Sequence, residues 1–490
     1  MNHTQLRDHR LSCCVLAAMT AAAAVPLSAQ APPQPGNITV LRVGDNSGTR
    51  TSSATKCFLD VYDAAGNLIA KFPLPDVPAT EITLSGTATD EGLLTLSADN
   101  QYLVCGGYRA APGVANVSTS TSAAVPRVVA RIDMTGSIDT TTTLGTAFSG
   151  ASIRSVASTD GLQFHATGSA GGVQYATFGA SSATQINSAP PLDPRVADIF
   201  AGQLYVSAAS GSFQGIATVG SGVPTTSGQV PALLSGFPTS AGPSSQDFHF
   251  ADASTVYVAD DRPAASGGGI QKWTESGGTW SLQYTLAVSA TDGCRGLTGH
   301  ADTGLRTLYA TTTGASPTTA NNLVRVVDTG PTATFTVVAT SNTNTVFRGV
   351  RYIPYPSTFV VSGTGSPSSG GVPTIASIGL PRIGTAWGVS GGNWPPLTVG
   401  WLVVTVGPLL PGVPIPGAQP GALLYAMLPE TLLLLTFADG GGNVAQIIPI
   451  PANPAFLGLQ AGCQWFVFDA TLPYPLQFAT SPGGLVTVGT

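Results

Sequence analysis

Charge is scarce in this 490-residue chain: Lys, Arg, Asp and Glu together make up 9% of it, against roughly 25% in an average soluble domain. Lysine occurs only at Lys56, Lys71 and Lys272, and the formal net charge is −6. Such a surface has no basic stripe to track a phosphate backbone, which argues against nucleic acid as a partner. Long hydrophobic runs are missing as well. The apolar stretch from Leu11 to Val25 and the run around Leu432 to Leu435 both fall short of the roughly 20 residues of a spanning helix, so no transmembrane segment is expected in the mature chain. The usual catalytic signatures are also absent: there is no G-x-S-x-G elbow, H-E-x-x-H pair, Gly-rich loop ending in Lys-Ser/Thr or EF-hand loop. Neither a cofactor nor a metal is indicated. No long stretch carries the helical period, so almost no helix is expected.

Cysteine is sparse too. Cys13 and Cys14 lie in the N-terminal segment, which leaves Cys57, Cys105, Cys294 and Cys463. None has C-x-x-C spacing, so zinc is not indicated. Four cysteines allow three disulfide pairings, and small buried hydrophobes are the other reading.

The N-terminus has the three parts of a secretory signal: Arg7 and Arg10, the apolar stretch from Leu11, and Leu27-Ser28-Ala29 as a small-residue cleavage site. Cleavage after Ala29 is expected, with residues 30–36 as a Pro-rich spacer and a secreted or cell-surface location.

One phrase then recurs six times: a charged residue, a short apolar strand, a turn with Asp, Gly or Pro, and a second apolar strand. It begins at Glu91, Arg154, Arg195, Asp247, Arg295 and Arg348, at intervals of roughly 40–65 residues, which suits four-stranded β-propeller blades. Internal blades continue with a second hairpin whose turns are Asp133-Met134-Thr135-Gly136, Glu275-Ser276-Gly277-Gly278 and Asp328-Thr329-Gly330. Trp273 and Trp280, around the middle one of these turns, are read as packing between blades. Three N-terminal strand-like runs, from Ile38, Cys57 and Leu68, lack the phrase, and the phrase at Arg348 lacks a second hairpin. Joining the two ends closes the ring, with residues 37–362 as a six-bladed propeller. One strand is then surplus, and a seventh, irregular blade from residues 37 to 90 is the alternative count.

Residues 363–373, a Gly/Ser/Pro tract, read as a linker. From residue 374 to 490, short apolar runs separated by Gly and Pro predict a small antiparallel β-sandwich. The fold class is therefore all-β. This C-terminal stretch resembles a β-sandwich domain that recurs at the ends of secreted and surface proteins of environmental bacteria. The resemblance rests on Leu434, Phe437, Asp439, Asn443, Pro449, Pro451, Pro454, Gly458, Leu459, Gln460, Gln464, Trp465 and Asp469, in that order. It implies a surface or extracellular accessory without catalysis. The propeller part is similar to a group of secreted bacterial propeller proteins, a resemblance that brings no activity with it.

The candidate site is positional. If each phrase opens the innermost strand of its blade, Glu91, Arg154, Arg195, Asp247, Arg295 and Arg348 face one another at one rim of the channel. Alternation adds His249 beside Asp247, a pair able to hold a metal or move a proton but too few ligands for a site. His165, in a second strand, and His300, in a turn, read as structural or solvent-facing. Excess arginine suits a carboxylate, a sulfate or an acidic sugar. Three functions follow: a propeller binding an anionic small molecule, saccharide or surface protein at the channel mouth; a hydrolase, lactonase or lyase using Asp247, Glu91 or His249; or a purely structural surface protein. Arg–acid locking between blades is the structural reading of the same charges.

Overall fold

The computed structural model describes residues 32–302, 305–426 and 431–490; the expected signal peptide, residues 1–29, lies outside them. Among the described residues there are no α-helices, only three single-turn 3₁₀ segments, and the rest of the regular structure is strand.

Six four-stranded antiparallel sheets account for residues 38–352. We number them I to VI by their first strands, which are Thr95–Leu96, Ile153–Ser158, Ala197–Phe200, Ser245–Asp252, Cys294–Asp302 and Val346–Tyr352. Each sits in one of the recurring phrases. Neighbouring sheets touch in order, and sheet VI packs against sheet I, so the series closes on itself as a β-propeller. Each first strand is the edge of its sheet that faces the channel, and closure protects that edge inside the ring.

Sheet VI is the seam. Its first strand, Val346–Tyr352, pairs with Ile38–Val43, followed by Cys57–Tyr62 and Leu68–Pro73. Three strands thus come from the N-terminal side and one from the last phrase. The expectation that both strands of that phrase belong to the ring is corrected here. Thr358–Ser362 pairs with Gly483–Thr487 in the C-terminal sheets, so the ring ends at Tyr352 and not at residue 362. Pro354 and Pro356 stand between the two strands, and a segment that lacks these backbone donors cannot turn straight back as a ladder. The surplus strand is accounted for, and residues 37–90 make no sheet of their own beyond the short Ala54–Thr55 and Leu84–Ser85 ribbon.

Hydroxyl groups, abundant where charge is scarce, join the sheets near the axis. Thr311 Oγ1 accepts from Gly296 N (2.9 Å) in its own sheet and donates to Arg348 O (2.6 Å) in the next. Ser207 repeats this, accepting from Val196 N (3.0 Å) and donating to Gln246 O. Thr167 Oγ1 likewise donates to Arg195 O at 2.6 Å. Glycine permits the close approach: a Cβ on Gly349 would lie 1.9 Å from Leu94 N, and one on Gly296 would lie 2.5 Å from Arg348 O. Farther out, aromatic rings fill the gaps between sheets. Trp273 of sheet IV stacks on Phe237, from the end of sheet III, at 4.1 Å and 22°, in keeping with the packing role expected of it.

A six-stranded sheet and a three-stranded sheet make up most of the C-terminal part. Their facing sides share one apolar core that includes Trp387, Val389, Leu402, Trp465 and Val467. The tract expected as a linker is bound to this part. Thr364 N donates to Tyr425 Oη (2.8 Å), Ser366 N to Thr480 O (2.8 Å) and Ser369 N to Asp469 Oδ2 (2.6 Å). Although most of the tract is exposed, its polar groups find partners in the sheets. All four remaining cysteines, Cys57, Cys105, Cys294 and Cys463, are free and buried; burial pushes the Cys105 thiol up to about 12.

Candidate functional site

The charged residues that open the phrases divide between two levels of the channel. At the level where the first strands begin, Arg154 Nη2 pairs with Asp90 Oδ2 at 2.6 Å, and Arg195 Nη1 lies 4.0 Å from the same oxygen. Arg295 Nε faces Asp261 Oδ2 at 3.5 Å, while its Nη1 donates to Thr313 O at 3.3 Å. Arg348 donates to two carbonyls, Ser85 O (2.7 Å) and Glu91 O (3.3 Å). Burial lowers the pKa of Arg154, Arg295 and Arg348, and Asp90 opposes it in all three. These four arginines do gather at one end of the ring; Arg154, Arg295 and Arg348 are engaged by carboxylates or backbone carbonyls, and Arg195 stands 4.0 Å from Asp90. The gap beside Arg295 and Arg348 is about 10 Å³, room for no more than a water molecule.

Glu91 does not face the arginines as an ion-pair partner. Gly92 takes φ +70°, the chain bends there, and the Glu91 carboxylate points into the sheet. It accepts from Ser85 N (2.9 Å) and Tyr108 Oη (2.8 Å). Burial pushes its pKa up to about 7 against the pull of Arg348. The carboxylate that does serve the rim is Asp90, one residue earlier and missed by the phrase alignment.

Asp247 is displaced along the axis as well. It sits level with Leu297, whose N–H donates to Oδ2 at 2.9 Å, two residues beyond Arg295 on the same strand. Its partner is Arg351, which approaches from sheet VI, donates to Leu297 O (2.7 Å) on the way, and comes within 3.5 Å of Asp198 in sheet III. The expectation that six charges share one mouth is therefore corrected: four arginines gather there, Glu91 turns away and Asp247 lies deeper. A charge-first alignment passes over Arg351 because it stands three residues after the phrase's opening arginine. The Arg348-Gly349-Val350-Arg351 spacing was the available signal.

The opposite end of the channel opens into a cavity of about 330 Å³. His249 is on its wall, two residues along the strand from Asp247 and half-buried. Burial, then Arg351, Arg306 and His300, hold its imidazole down to about 3, so it is neutral at ordinary pH. His300, expected in a turn, lies in the strand Cys294–Asp302, lines the same cavity and stacks on Tyr352 at 4.0 Å and 17°. Asp198 is also on the wall. Burial pushes its carboxyl up to about 6, against the pull of Arg351. His165 is elsewhere, buried, with Nε2 2.8 Å from Pro224 O.

No protein-family model and no curated protein matches the chain. Solved structures similar to it include the β-propeller domain of the trilobed protease from Pyrococcus furiosus, at 10% identity over 63% of this chain and 96% of that one, TM-score 0.32. Apo AztD from Citrobacter koseri is 13% identical over 92% of this chain and 98% of that one, TM-score 0.27. The Niastella koreensis GH74 enzyme is 12% identical over 71% and 59%, TM-score 0.33. Likenesses this slight bear on neither architecture nor activity.

Chemically, the two ends differ. The arginine end has little free volume beside Arg295 and Arg348, and its arginines bond carboxylates and carbonyls that belong to other strands. The cavity end has volume, a neutral imidazole at His249 and aromatic rings. Among the described residues no group of three or more His, Cys, Asp or Glu converges as a metal would require, and the Asp247–His249 pair divides its attention: one faces Arg351, the other the cavity. Among the residues that carry the C-terminal resemblance, Asp439 and Gln464 make local structural bonds. Asp439 Oδ1 accepts from Gly441 N and Asn443 N to form a turn, and Gln464 Nε2 donates to Leu423 O and Ser481 O inside the core.

Proposed function

We propose that the protein is an extracellular or cell-surface binding protein: a six-bladed β-propeller followed by a β-sandwich, taking a small ligand in the cavity at the channel mouth. The observation that carries this reading is the cavity itself. At about 330 Å³ it falls at the small end of ligand pockets, which run from roughly 300 to 1,000 Å³. Its wall combines apolar and aromatic side chains with a few polar groups, as such pockets do. Binding is favoured over catalysis by the state of the candidate acids and bases. Glu91 and Asp247 are enclosed, and His249, the one of the three that reaches the cavity, is a weak base far from the pKa that proton transfer near neutrality needs. The location rests on the signal-like N-terminus, and N-terminal sequencing of exported protein tests it: a mature chain starting at Gln30 is expected, and a chain retaining Met1 would refute it.

The binding reading is tested by ligand-observed NMR with a fragment library against wild type and Ala251→Trp. Ala251 lines the cavity, so an indole there fills the space. Fragments that bind wild type and lose binding to a variant of unchanged melting temperature support the cavity. Fragments indifferent to the change would move the site elsewhere.

A further inference from the structure

The cavity is not a property of the ring alone. Its wall includes Pro354, which follows the last inner strand, and Arg382 from the C-terminal part. The backbone at Arg382 is tied, through Gly489 and Thr490, to the segment that follows the ring's last strand. Arg382 bridges Gly489, Ile383 N donates to Gly489 O (3.0 Å) and Gly489 N to Pro381 O (2.9 Å), and Thr490 N then donates to Tyr355 O (3.2 Å). Tyr355 is three residues beyond Tyr352, itself on the cavity wall. The C-terminal part is thereby placed over the channel mouth and presents an exposed guanidinium to it.

Three arginines line this space, and their circumstances differ. Arg351 is buried and satisfied by Asp247 and Asp198. Arg306, from sheet V, has as its carboxylate neighbour Asp252 at 3.4 Å, half-exposed to water, an interaction of little worth. For Arg382 no ion pair is found among the described residues. The acid within the wall, Asp198, is directed to Arg351 and is pushed towards its neutral form. Arg306 and Arg382, one from each part of the chain, are therefore the cavity arginines without a buried carboxylate partner. Beside them, His300 on Tyr352 and Phe200 on Phe250, stacked at 4.8 Å and 15°, give the wall flat apolar surfaces.

We infer that the C-terminal part completes the ligand site, and that Arg306 and Arg382 together hold the carboxylate of a ligand whose flat, apolar body lies against the aromatic wall. This rests on the cavity reading and gives it a ligand class. Guanidinium groups engage carboxylates through paired N–H donors, and an aromatic ring seats on aromatic surfaces. It also gives the C-terminal part a role in recognition rather than in attachment alone.

The test is titration of the full-length protein with benzoate, benzyl alcohol and glucuronate, followed by NMR or calorimetry. Benzoate is expected to bind, benzyl alcohol more weakly, and both Arg306→Ala and Arg382→Ala to weaken benzoate about tenfold or more, the worth of a charge-assisted hydrogen bond, with benzyl alcohol little changed. Arg382→Lys should restore part of the affinity. Glucuronate binding as tightly as benzoate would assign the carboxylate to an acidic sugar and overturn the flat-body half. If neutral fragments still occupy the cavity, as judged by Ala251→Trp, while benzoate and glucuronate fail or ignore both arginine changes, this inference falls and the cavity reading stands. If nothing responds to Ala251→Trp, the cavity reading itself has failed.

Discussion

Arg351 and Asp247 meet across the ring as a two-pronged pair, Nη1 to Oδ2 at 2.7 Å and Nη2 to Oδ1 at 3.1 Å, with both side chains buried. The arginine starts in sheet VI and the aspartate in sheet IV, so the contact ties together blades that are not neighbours. Removing one partner leaves a buried charge without its counter-ion. Arg351→Ala should lower the unfolding free energy by about 3–5 kcal/mol, measured by chemical denaturation. The double change Arg351→Met with Asp247→Leu should recover much of that loss, because no charge is then stranded. A single change costing under about 1 kcal/mol would show that the pair contributes little.

The hydroxyl bridges make a second, independent prediction. Thr311→Val keeps the shape but leaves Gly296 N and Arg348 O without their shared partner, and both bonds are buried. A loss of about 1–3 kcal/mol is expected in the same denaturation measurement. Thr336→Val, at an exposed outer position, serves as the control and should be near neutral.

Glu91 makes stability depend on pH in an unusual direction. Its folded pKa of about 7 lies above that of an unfolded glutamate, so the folded state holds the proton more tightly. The contribution is present in full below the unfolded pKa and is lost as pH rises through about 7, with a slope of no more than about 1.4 kcal/mol per pH unit. Asp198, raised to about 6, acts with the same sign and is exhausted earlier. Glu91→Gln should flatten the upper part of this fall. Denaturation midpoints of wild type and variant compared at about pH 5 and about pH 8 check it, and parallel profiles would place the proton elsewhere.

Proteolysis tests the Gly/Ser/Pro tract. Because Tyr425 Oη accepts from Thr364 N and donates to Thr364 O at 3.0 Å, residues 363–371 should resist cleavage in the wild-type protein. Tyr425→Phe removes both bonds and should expose the tract to a nonspecific protease. Rapid cutting of wild type within 363–371 would show that the bonds do not protect it.

The repeat and the strand character were legible along the chain. Period-two alternation and turn residues act locally, so the six phrases marked the six inner strands, and an Asp followed closely by Gly marked hairpins such as Asp133 to Gly136. The repeat also pointed to a meeting of Arg154, Arg195, Arg295 and Arg348, because equal positions in rotated repeats come together. Only the tertiary structure decided what those arginines do, since Asp90, Asp261 and the carbonyls that engage them are remote in sequence or out of step with the phrase. The same holds for the seam, where two prolines send Thr358–Ser362 to another sheet, and for the cavity. His249, Arg306 and Arg382 stand far apart along the chain and carry no spacing that relates them. Their proximity is a consequence of ring closure and of where the C-terminal sheets dock, and contacts formed by closure leave no local pattern to read.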